Sequence, residues 1–539
     1  MKTNFNEQEN FFINSNKFLS VKEASQWATK YQNKHVSSAN ITYLINYGRI
    51  KKFEHFGKTY ISLAELENYY KIKTAMYKNV YDDKLKQNLN WELSFNKYTE
   101  AQTTKHVHRL HPYKGKFIPQ LVEYFLDSHI DNFKQEVFFN KGDIILDPFS
   151  GSGTTMSQSC ELGLNAIGVD VSAFNALIAN VKIAKYNILN VASEISHLTK
   201  MLEAYRENCA ILKFEEELMI ELSKFNNTYF PSPEYKYKLK NNEINELDFA
   251  SKKEKEFLQI FYALVKKYGI KIKQDANKTF LDKWFCVQVR GEIEFLYKQI
   301  LKIENENTRK ILCVVLSRVM RSCRATSHAD LGTLIEPINQ TYYCQKHGKI
   351  CKPIFSIIKH WKIYTQDTLK RIVEFDKLRT NTNQICLVGD SRNINLIKEV
   401  EIQDPNFARL LNLKKIAGIF SSPPYVGMID YHEQHAYAYD LFKFERNDNF
   451  EIGPLFAGKG KTARQNYIEG ISMVLNNCKK YLCENYNIFL VANDKYNLYP
   501  TIAQKSNLKI VNQFHRPVLN RTEKDKGAYS ETIFHLRQN

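Results

Sequence analysis

The sequence predicts an α/β protein: a mostly parallel sheet, interrupted by a large helical insert and preceded by a small helix–helix–hairpin–helix head. Three observations predict it. Short apolar runs ending in small or acidic residues (IILD, AIGVD, then ICLVGD, AGIFSS and NIFLVAND) recur in two groups, as buried parallel strands do. Residues 190–380 between those groups are Lys/Glu-rich, helical in pattern and nearly free of glycine until the 330s. Residues 17–75 carry two helix-start signatures around a hairpin pattern.

The head comes first. Ser20-Val-Lys-Glu23 is a capping box, in which a hydroxyl and a carboxylate satisfy free N–H groups at a helix start. A second helix over 38–46 stops at Gly48. KKFEHFGKTYIS predicts two short strands turning at Gly57-Lys58, and Ser62-Leu-Ala-Glu65 opens a third helix. This order resembles the winged helix-turn-helix heads of excisionase and MerR-type proteins. The resemblance implies a recognition helix in a DNA groove, with Arg49, Lys51 and Lys52 leading into the wing. The same residues also suit a small packing or interaction module. Residues 75–105 are expected to be a polar linker.

The length of 539 residues allows two to four domains. Charged residues at 25% and hydrophobic ones at 43% exclude wholesale disorder. No apolar run approaches the ~18 residues that span a bilayer, and MKTNFNEQENFF has no apolar signal core, so a cytoplasmic protein is expected. Ten scattered cysteines fit a reducing compartment. Lys+Arg 76 against Asp+Glu 58 leave a net charge of +18, which favours a polyanionic partner.

The stretch 141–172 is the most informative. A strand ends in Asp147, and the turn Pro148-Phe149-Ser150-Gly151-Ser152-Gly153 passes into a helix at Thr154-Thr155. A second strand ends in Asp170. Glycines let a backbone approach a ligand, and an acid ending the second strand can accept both ribose hydroxyls. The dinucleotide fingerprint would need a third glycine at Met156, and no Gly-Lys-Ser/Thr follows as in a P-loop. Asp-Pro-Phe-x-Gly-x-Gly-Thr-Thr instead resembles motif I of the S-adenosylmethionine-dependent amino-methyltransferases that act on DNA. That resemblance implies a Rossmann-like class I methyltransferase core, in two halves over 106–189 and 381–539. It assigns Asp147, Phe149, Gly151, Gly153 and Thr154 to cofactor contact and Asp170 to the ribose. HPYKGKFIPQLVEYFL (111–126) is similar to motif X, with Lys116 and Phe117 toward the methionine end. Asp390 in CLVGDSR matches the motif III acid that meets the adenine amine. Alone, a Gly-x-Gly turn or a strand-end Asp would be read as scaffold.

AGIFSSPPYVGMIDYHEQH contains Ser422-Pro423-Pro424-Tyr425, the Ser-Pro-Pro-Tyr form of motif IV in the same family. The exocyclic amine of cytosine or adenine is a poor nucleophile, because its lone pair is delocalised into the ring. The Ser422 hydroxyl and the Pro423 carbonyl can both accept from that NH₂ and free the lone pair for attack on a sulfonium methyl. The prolines stiffen the loop and offer no N–H of their own. Tyr425 offers a face on which a flipped base stacks. Positioning supplies ~7–11 kcal/mol of such a rate gain, with electrostatic preorganisation beside it. Cytosine C5 chemistry needs a thiolate directly after a proline in its own family, and none of the 13 prolines precedes a cysteine. Serine at the first position implies cytosine N4 over adenine N6. Asp494 in NIFLVANDKYN belongs to a later core strand, and 514–536 is expected to be a closing hairpin whose Arg521 and Tyr529 are candidates to line the base pocket.

The insert 190–380 is expected to contribute to target recognition, with EIGPLFAGKGKTARQNY (451–467) a rival. Arg318, Arg321 and Arg324 fall at helical spacing as a basic stripe, either solvated or phosphate-contacting. Cys344, His347 and Cys351 give three soft ligands in one loop. Structural zinc takes four, and the fourth would come from afar (Cys323, His328 or His360), so no metal is predicted. The expected function is a prokaryotic cytosine-N4 DNA methyltransferase with double-stranded DNA and a cognate restriction endonuclease as partners. The alternatives are an adenine-N6 enzyme, an RNA or tRNA amine methyltransferase and a non-catalytic DNA-binding regulator.

Overall fold

A computed structural model describes residues 18–32, 35–55, 57–71, 89–207, 209–328, 330, 334–519 and 529–539. Strand β1 (Phe18–Ser20), which the sequence did not predict, leads into helix Val21–Gln32. The capping box forms: Ser20 N donates to Glu23 Oε2 at 2.8 Å and Glu23 N to Ser20 Oγ at 3.2 Å. Helix Ser38–Asn46 is capped by Ser37, paired reciprocally with Asn40. Strands β2 (Phe53–His55) and β3 (Lys58–Ser62) form the hairpin, and β1 adds to β3 antiparallel, giving the order β1-β3-β2. A helix over 63–71 follows. Ala24, Ala28, Ile41, Leu44, Ile61 and Leu66 give the head its own core.

The head rests on the insert. Tyr237 Oη donates to the Ile50 carbonyl at 3.3 Å, and the Lys236 ammonium lies 4.0 Å from the Tyr47 ring centre. Of the expected linker, 75–88 lies outside the described residues. The rest is folded onto the sheet: Leu93 is fully buried, Phe95 packs beside Tyr124, and Asn90 N donates to His515 O at 2.6 Å. Polar composition concealed these apolar anchors.

The main sheet takes β4 (Ile144–Asp147) and β5 (Asn165–Asp170). Past a small insert hairpin of β6 (Tyr342–Cys344) and β7 (Lys349–Cys351), it takes β8 (Gln384–Val388) and β9 (Ile416–Ser421). It is completed by β10 (Leu482–Ala492), β11 (Leu508–Pro517) and β12 (Ser530–Gln538). The order is β11-β12-β10-β9-β4-β5-β8. β8, β5, β4, β9 and β10 run parallel, while β12 is antiparallel to both its neighbours. The chain moves outward from β4 to β5 and β8, then returns to β9 on the other side. That reversal between β4 and β9 is the switch point where a crevice opens at the carboxyl ends of an open α/β sheet.

Alternation along the strands fills both faces. Ile144, Leu146, Ile419, Ile488 and Leu490 meet helices Leu396–Gln403, Lys461–Lys479 and Tyr499–Lys505. Ile145, Phe420, Phe489 and Val491 meet Phe125 and Leu121. The insert grows out of the β5–β8 crossover, its helices running from Ile188–Glu207 to Ile358–Asp376. Its core is continuous with Phe174, Ile178 and Tyr437, so it is built onto the sheet's helical layer. Among the described residues, no helix is long and apolar enough to cross a membrane.

Gly418 sits where β9 passes closest to β10. A Cβ there would lie 2.0 Å from the Asn487 carbonyl oxygen and 2.8 Å from the Phe139 ring. A glycine inside a strand marks such a close backbone approach. Gly418→Ala should cost about 4 kcal/mol or more in denaturant unfolding, whereas Gly460→Ala, which opens on empty space at a helix N-cap, should cost about 1 kcal/mol at most. Equal stability of the two variants would refute this account of the β9–β10 contact.

Candidate active site

Strands β4 and β9 pair in register, Leu146 opposite Ile419. One step further the two chains bond through side chains: Ser421 Oγ donates to Asp147 Oδ1 at 2.6 Å. Behind them Thr155 Oγ1 donates to the Phe420 carbonyl at 3.3 Å. The glycine loop and the Ser-Pro-Pro-Tyr loop are therefore neighbours, despite lying far apart in sequence. Between them a cleft encloses about 790 Å³, lined by Lys116, Phe117, Phe149, Gly151, Thr154, Asp170, Asp390, Ser422 and Pro424 among others.

Four predicted residues do not line the cleft. Asp147 is buried and holds β4 to β9; burial pushes its carboxyl up to about 6 against hydrogen bonds from Ser421, Thr155 and Phe149. Gly153 adopts φ 72°, and a Cβ there would lie 2.8 Å from the Ala179 Cβ. The glycine lets the loop sit on helix Ala173–Ile183. Pro423 is buried. Tyr425 is half-buried, and its hydroxyl donates to Glu531 Oε1 at 2.8 Å.

The polar groups that do reach the cleft are held by the backbone. Asp170 accepts from Gly151 N and Ser172 N, both at 2.8 Å, and from Asn175 Nδ2 at 3.1 Å. Burial still raises its carboxyl to about 6. Asp390 accepts from Arg392 Nε at 2.9 Å and pairs with its NH2 at 2.7 Å. A carboxylate has about four lone-pair sites, so acceptor capacity remains. Lys116 lines the wall but turns its ammonium to the His108 carbonyl at 2.6 Å, and burial lowers it to about 8. The Phe117 ring stands edge-on to Phe420, with centres 5.5 Å apart. Ser422 Oγ donates to the Val491 carbonyl at 3.1 Å.

Sequence reading missed Tyr113, Asn175, Tyr431 and Glu451, all in the lining. Tyr113 lay inside the motif X-like segment; its ring stacks on Tyr431 at 6.0 Å and closes over Gly151. Glu451 carried no local signal. It accepts from Tyr431 N at 3.2 Å and His432 N at 2.9 Å, which ties the rival loop 451–467 to the cleft. The Asn175 Oδ1 and Ser152 Oγ atoms are buried in the lining and have no hydrogen-bond partner among the described residues. Acidic, amide and hydroxyl acceptors beside aromatic walls suit a nucleoside with an amino-acid tail.

The other predicted residues fall elsewhere. Arg318 is 7% exposed and paired with Asp367 at 2.7 Å, and Arg324 is 6% exposed, so these two of the three predicted stripe residues are not on a solvated face, whereas Arg321 stays partly exposed. Cys344, His347 and Cys351 lie in the β6/β7 hairpin with His328 beside them; Cys323 and His360 stand outside that group. Arg521 lies outside the described residues. Tyr529 accepts from Val518 N at 2.9 Å where the chain re-enters β12.

Lys182 lies beneath the glycine loop, fully buried, donating to the Ser152 carbonyl. Burial holds its ammonium well below the usual range. The folded chain thus binds fewer protons at this site than the unfolded one, and its stability rises with pH between the depressed value and 10.5. Lys182→Met removes that dependence. Its stability relative to wild type, measured by urea unfolding, should be greater at pH 6 than at pH 9; the reverse order would contradict a buried, poorly charged lysine.

Known proteins bear on this geometry. A family model described as "DNA methylase", covering N6 and N4 enzymes, matches residues 2–181. The Type II methyltransferase M.MjaII of Methanocaldococcus jannaschii is 45% identical over 529 residues, 97% of each chain. M.BsoBI of Geobacillus stearothermophilus is 35% identical over 91 residues, 16% of each chain, and M.MvaI of Kocuria varians is 28% identical over 116 residues, 22% of this chain and 24% of that one. Agreement along nearly the whole length, on a sheet that brings the two loops to one cleft, identifies the chain as a member of the Type II DNA methyltransferases, whose methyl donor is S-adenosylmethionine.

Proposed function

We propose that this chain methylates the exocyclic N4 amine of cytosine at one recurring sequence in double-stranded DNA, as the protective partner of a restriction endonuclease in a prokaryotic cytoplasm. The observation that carries the reading is the state of Ser422. Its hydroxyl donates its only proton to Val491, which leaves its lone pairs for the cleft. A hydroxyl so committed accepts from an NH₂. Pro423 and Pro424 stiffen the loop beside it, and neither has an N–H to bond in the wrong sense.

Bound S-adenosylmethionine supplies an electrophilic methyl group on its sulfonium. Everything else is done by the chain. Asp170 accepts the ribose hydroxyls, and Asp390 accepts the adenine amine on the lone pairs that Arg392 leaves. Phe117 and Phe149 give apolar walls that exclude water. Ser422 orients the amine and localises its lone pair, a preorganised electrostatic contribution, on a loop that Pro423 and Pro424 stiffen. Tyr425, its hydroxyl tied to Glu531, stands behind the loop and holds Ser422 and Pro424 in place. The insert 190–380 and the winged head 17–75 read the duplex, and the +18 charge supplies salt-sensitive attraction to phosphates.

Long-read sequencing of DNA from cells expressing the protein tests the base. Expected is N4-methylcytosine at one motif; N6-methyladenine there would replace the cytosine reading. Ser422→Ala should lower kcat by about 10²-fold with cofactor affinity unchanged, and an unaffected kcat would remove Ser422 from the chemistry.

The Asp170 carboxyl, raised to about 6 by burial, loses its charge as pH falls through that value. S-adenosylmethionine affinity in calorimetry should therefore weaken between pH 7.5 and 5. Asp170→Asn should bind more weakly throughout, with a flatter profile; a pH-independent wild type would refute ribose binding by this carboxylate.

A further inference from the structure

We infer that His328, Cys344, His347 and Cys351 form a structural zinc site, clamping the segment after helix Glu306–Ser322 onto the β6/β7 hairpin. One ligand atom from each of the four lies within 4.8 Å of every other. His347 Nδ1 stands 3.4 Å from Cys351 Sγ. Tetrahedral zinc, with bonds of about 2.3 Å to sulfur and 2.0 Å to nitrogen, sets such atoms about 3.5 Å apart. Two thiolates and two imidazoles are the soft, borderline donors that select zinc over hard cations.

The local backbone is shaped for this. Cys344-Gln-Lys-His347-Gly348 is a tight turn in which His347 N and Gly348 N both donate to the Cys344 carbonyl, at 3.0 and 2.7 Å. Gly348 takes φ 64°, which returns the chain into β7 and carries Cys351 back toward Cys344. Cys344 is 2% and Cys351 8% exposed, so the thiolate side of the site is shielded, while His328 closes it from the exposed side. The Tyr342 hydroxyl meets Nδ1 of His328 at 2.8 Å, the kind of outer partner that orients a ligating ring.

The hairpin also needs a clamp. Its strands have three residues each, and the apolar cluster here is Tyr342, Cys344 and Cys351 with Ile338 against them. Ile350 anchors β7 in the insert's main core and Tyr343 packs against it, but the face bearing Cys344 and Cys351 has only this small cluster to hold it. The hairpin nonetheless carries load: Asn226 exchanges two hydrogen bonds with Ile350, at 2.9 and 3.0 Å. The Lys346 carbonyl takes the Lys236 ammonium at 2.9 Å, the same ammonium that lies over Tyr47 of the head. A four-ligand metal joins these contacts to the 324–328 segment, whose Arg324 faces Tyr437.

The test is metal analysis of full-length protein expressed in zinc-supplemented medium and gel-filtered with a mild chelator. Expected is about one zinc per chain, absent from Cys344→Ser/Cys351→Ser and from His347→Ala, and retained in Cys483→Ser. Cobalt(II) reloading should give the visible bands of a tetrahedral thiolate site, and stripping zinc should lower the melting temperature. Wild-type protein with less than about 0.2 equivalents, or a double variant that keeps its zinc, overturns the proposal. The wild-type measurement decides even where the variants fail to fold.

Discussion

The bond from Ser421 to Asp147 joins the carboxyl ends of two adjacent parallel strands in a place water does not reach. Both side chains are essentially unexposed, so the hydrogen bond is made in a low-dielectric environment, where losing it leaves a buried carboxylate under-satisfied, with Phe149 N as a remaining donor. Everything chemically interesting begins one residue beyond this bond. On one strand the chain turns into the glycine loop; on the other it turns into Ser422-Pro423-Pro424-Tyr425. Thr155 reinforces the junction by bonding back to Phe420. Two loops made from opposite halves of the chain are therefore held in a fixed relation by the sheet itself.

That relation explains a division of labour within each motif. In the glycine loop, Asp147 and Gly153 build the support while Gly151, Thr154 and Phe149 reach the cleft. Gly153 leaves room for Ala179, and Lys182 from the same helix bonds the Ser152 carbonyl below. In the second loop, Ser422 and Pro424 reach the cleft while Pro423 and Tyr425 are held behind it. A motif is thus a mixture of groups that touch a ligand and groups that make the touching surface stiff, as preorganised sites require. The Ser422–Val491 bond carries the same logic one strand further, since Val491 lies on β10 beside β9.

The insert is attached in the crossover from β5 to β8. It leaves after helix Ala173–Ile183 and returns at β8, at the sheet edge away from β10. Its helices extend the apolar layer already covering that face, which is why its core runs on into Phe174 and Tyr437. Two of the three arginines that looked like a nucleic-acid stripe are consumed here: Arg318 pairs with Asp367 and stacks on Tyr364, and Arg324 is buried beside Tyr437, while Arg321 stays partly exposed. Helical spacing reports a shared face, and that face turned out to be an interior one.

Local physics made much of this legible in the sequence. The capping box at Ser20, glycines at turns, and apolar runs ending in Asp147 and Asp170 depend on neighbours within a few residues, so they can be read without a fold. At Ser62 half of the expected box forms, because the Glu65 carboxylate accepts from Lys51 N instead. The β1 strand, the anchoring of Leu93 and Phe95, and the recruitment of Glu451 depend on partners far along the chain. His328 is the clearest instance: C-x₂-H-x₃-C in the hairpin was visible, but nothing in the sequence distinguished His328 from Cys323 or His360 as the residue beside it. Sequence alone determined which chemical groups exist and which short segments curl or extend, because those preferences are set by the backbone and its immediate side chains. Tertiary structure alone decided which groups share a cleft, because adjacency of β4 and β9 arises from the order in which strands join the sheet, an outcome of collective burial that no local spacing encodes.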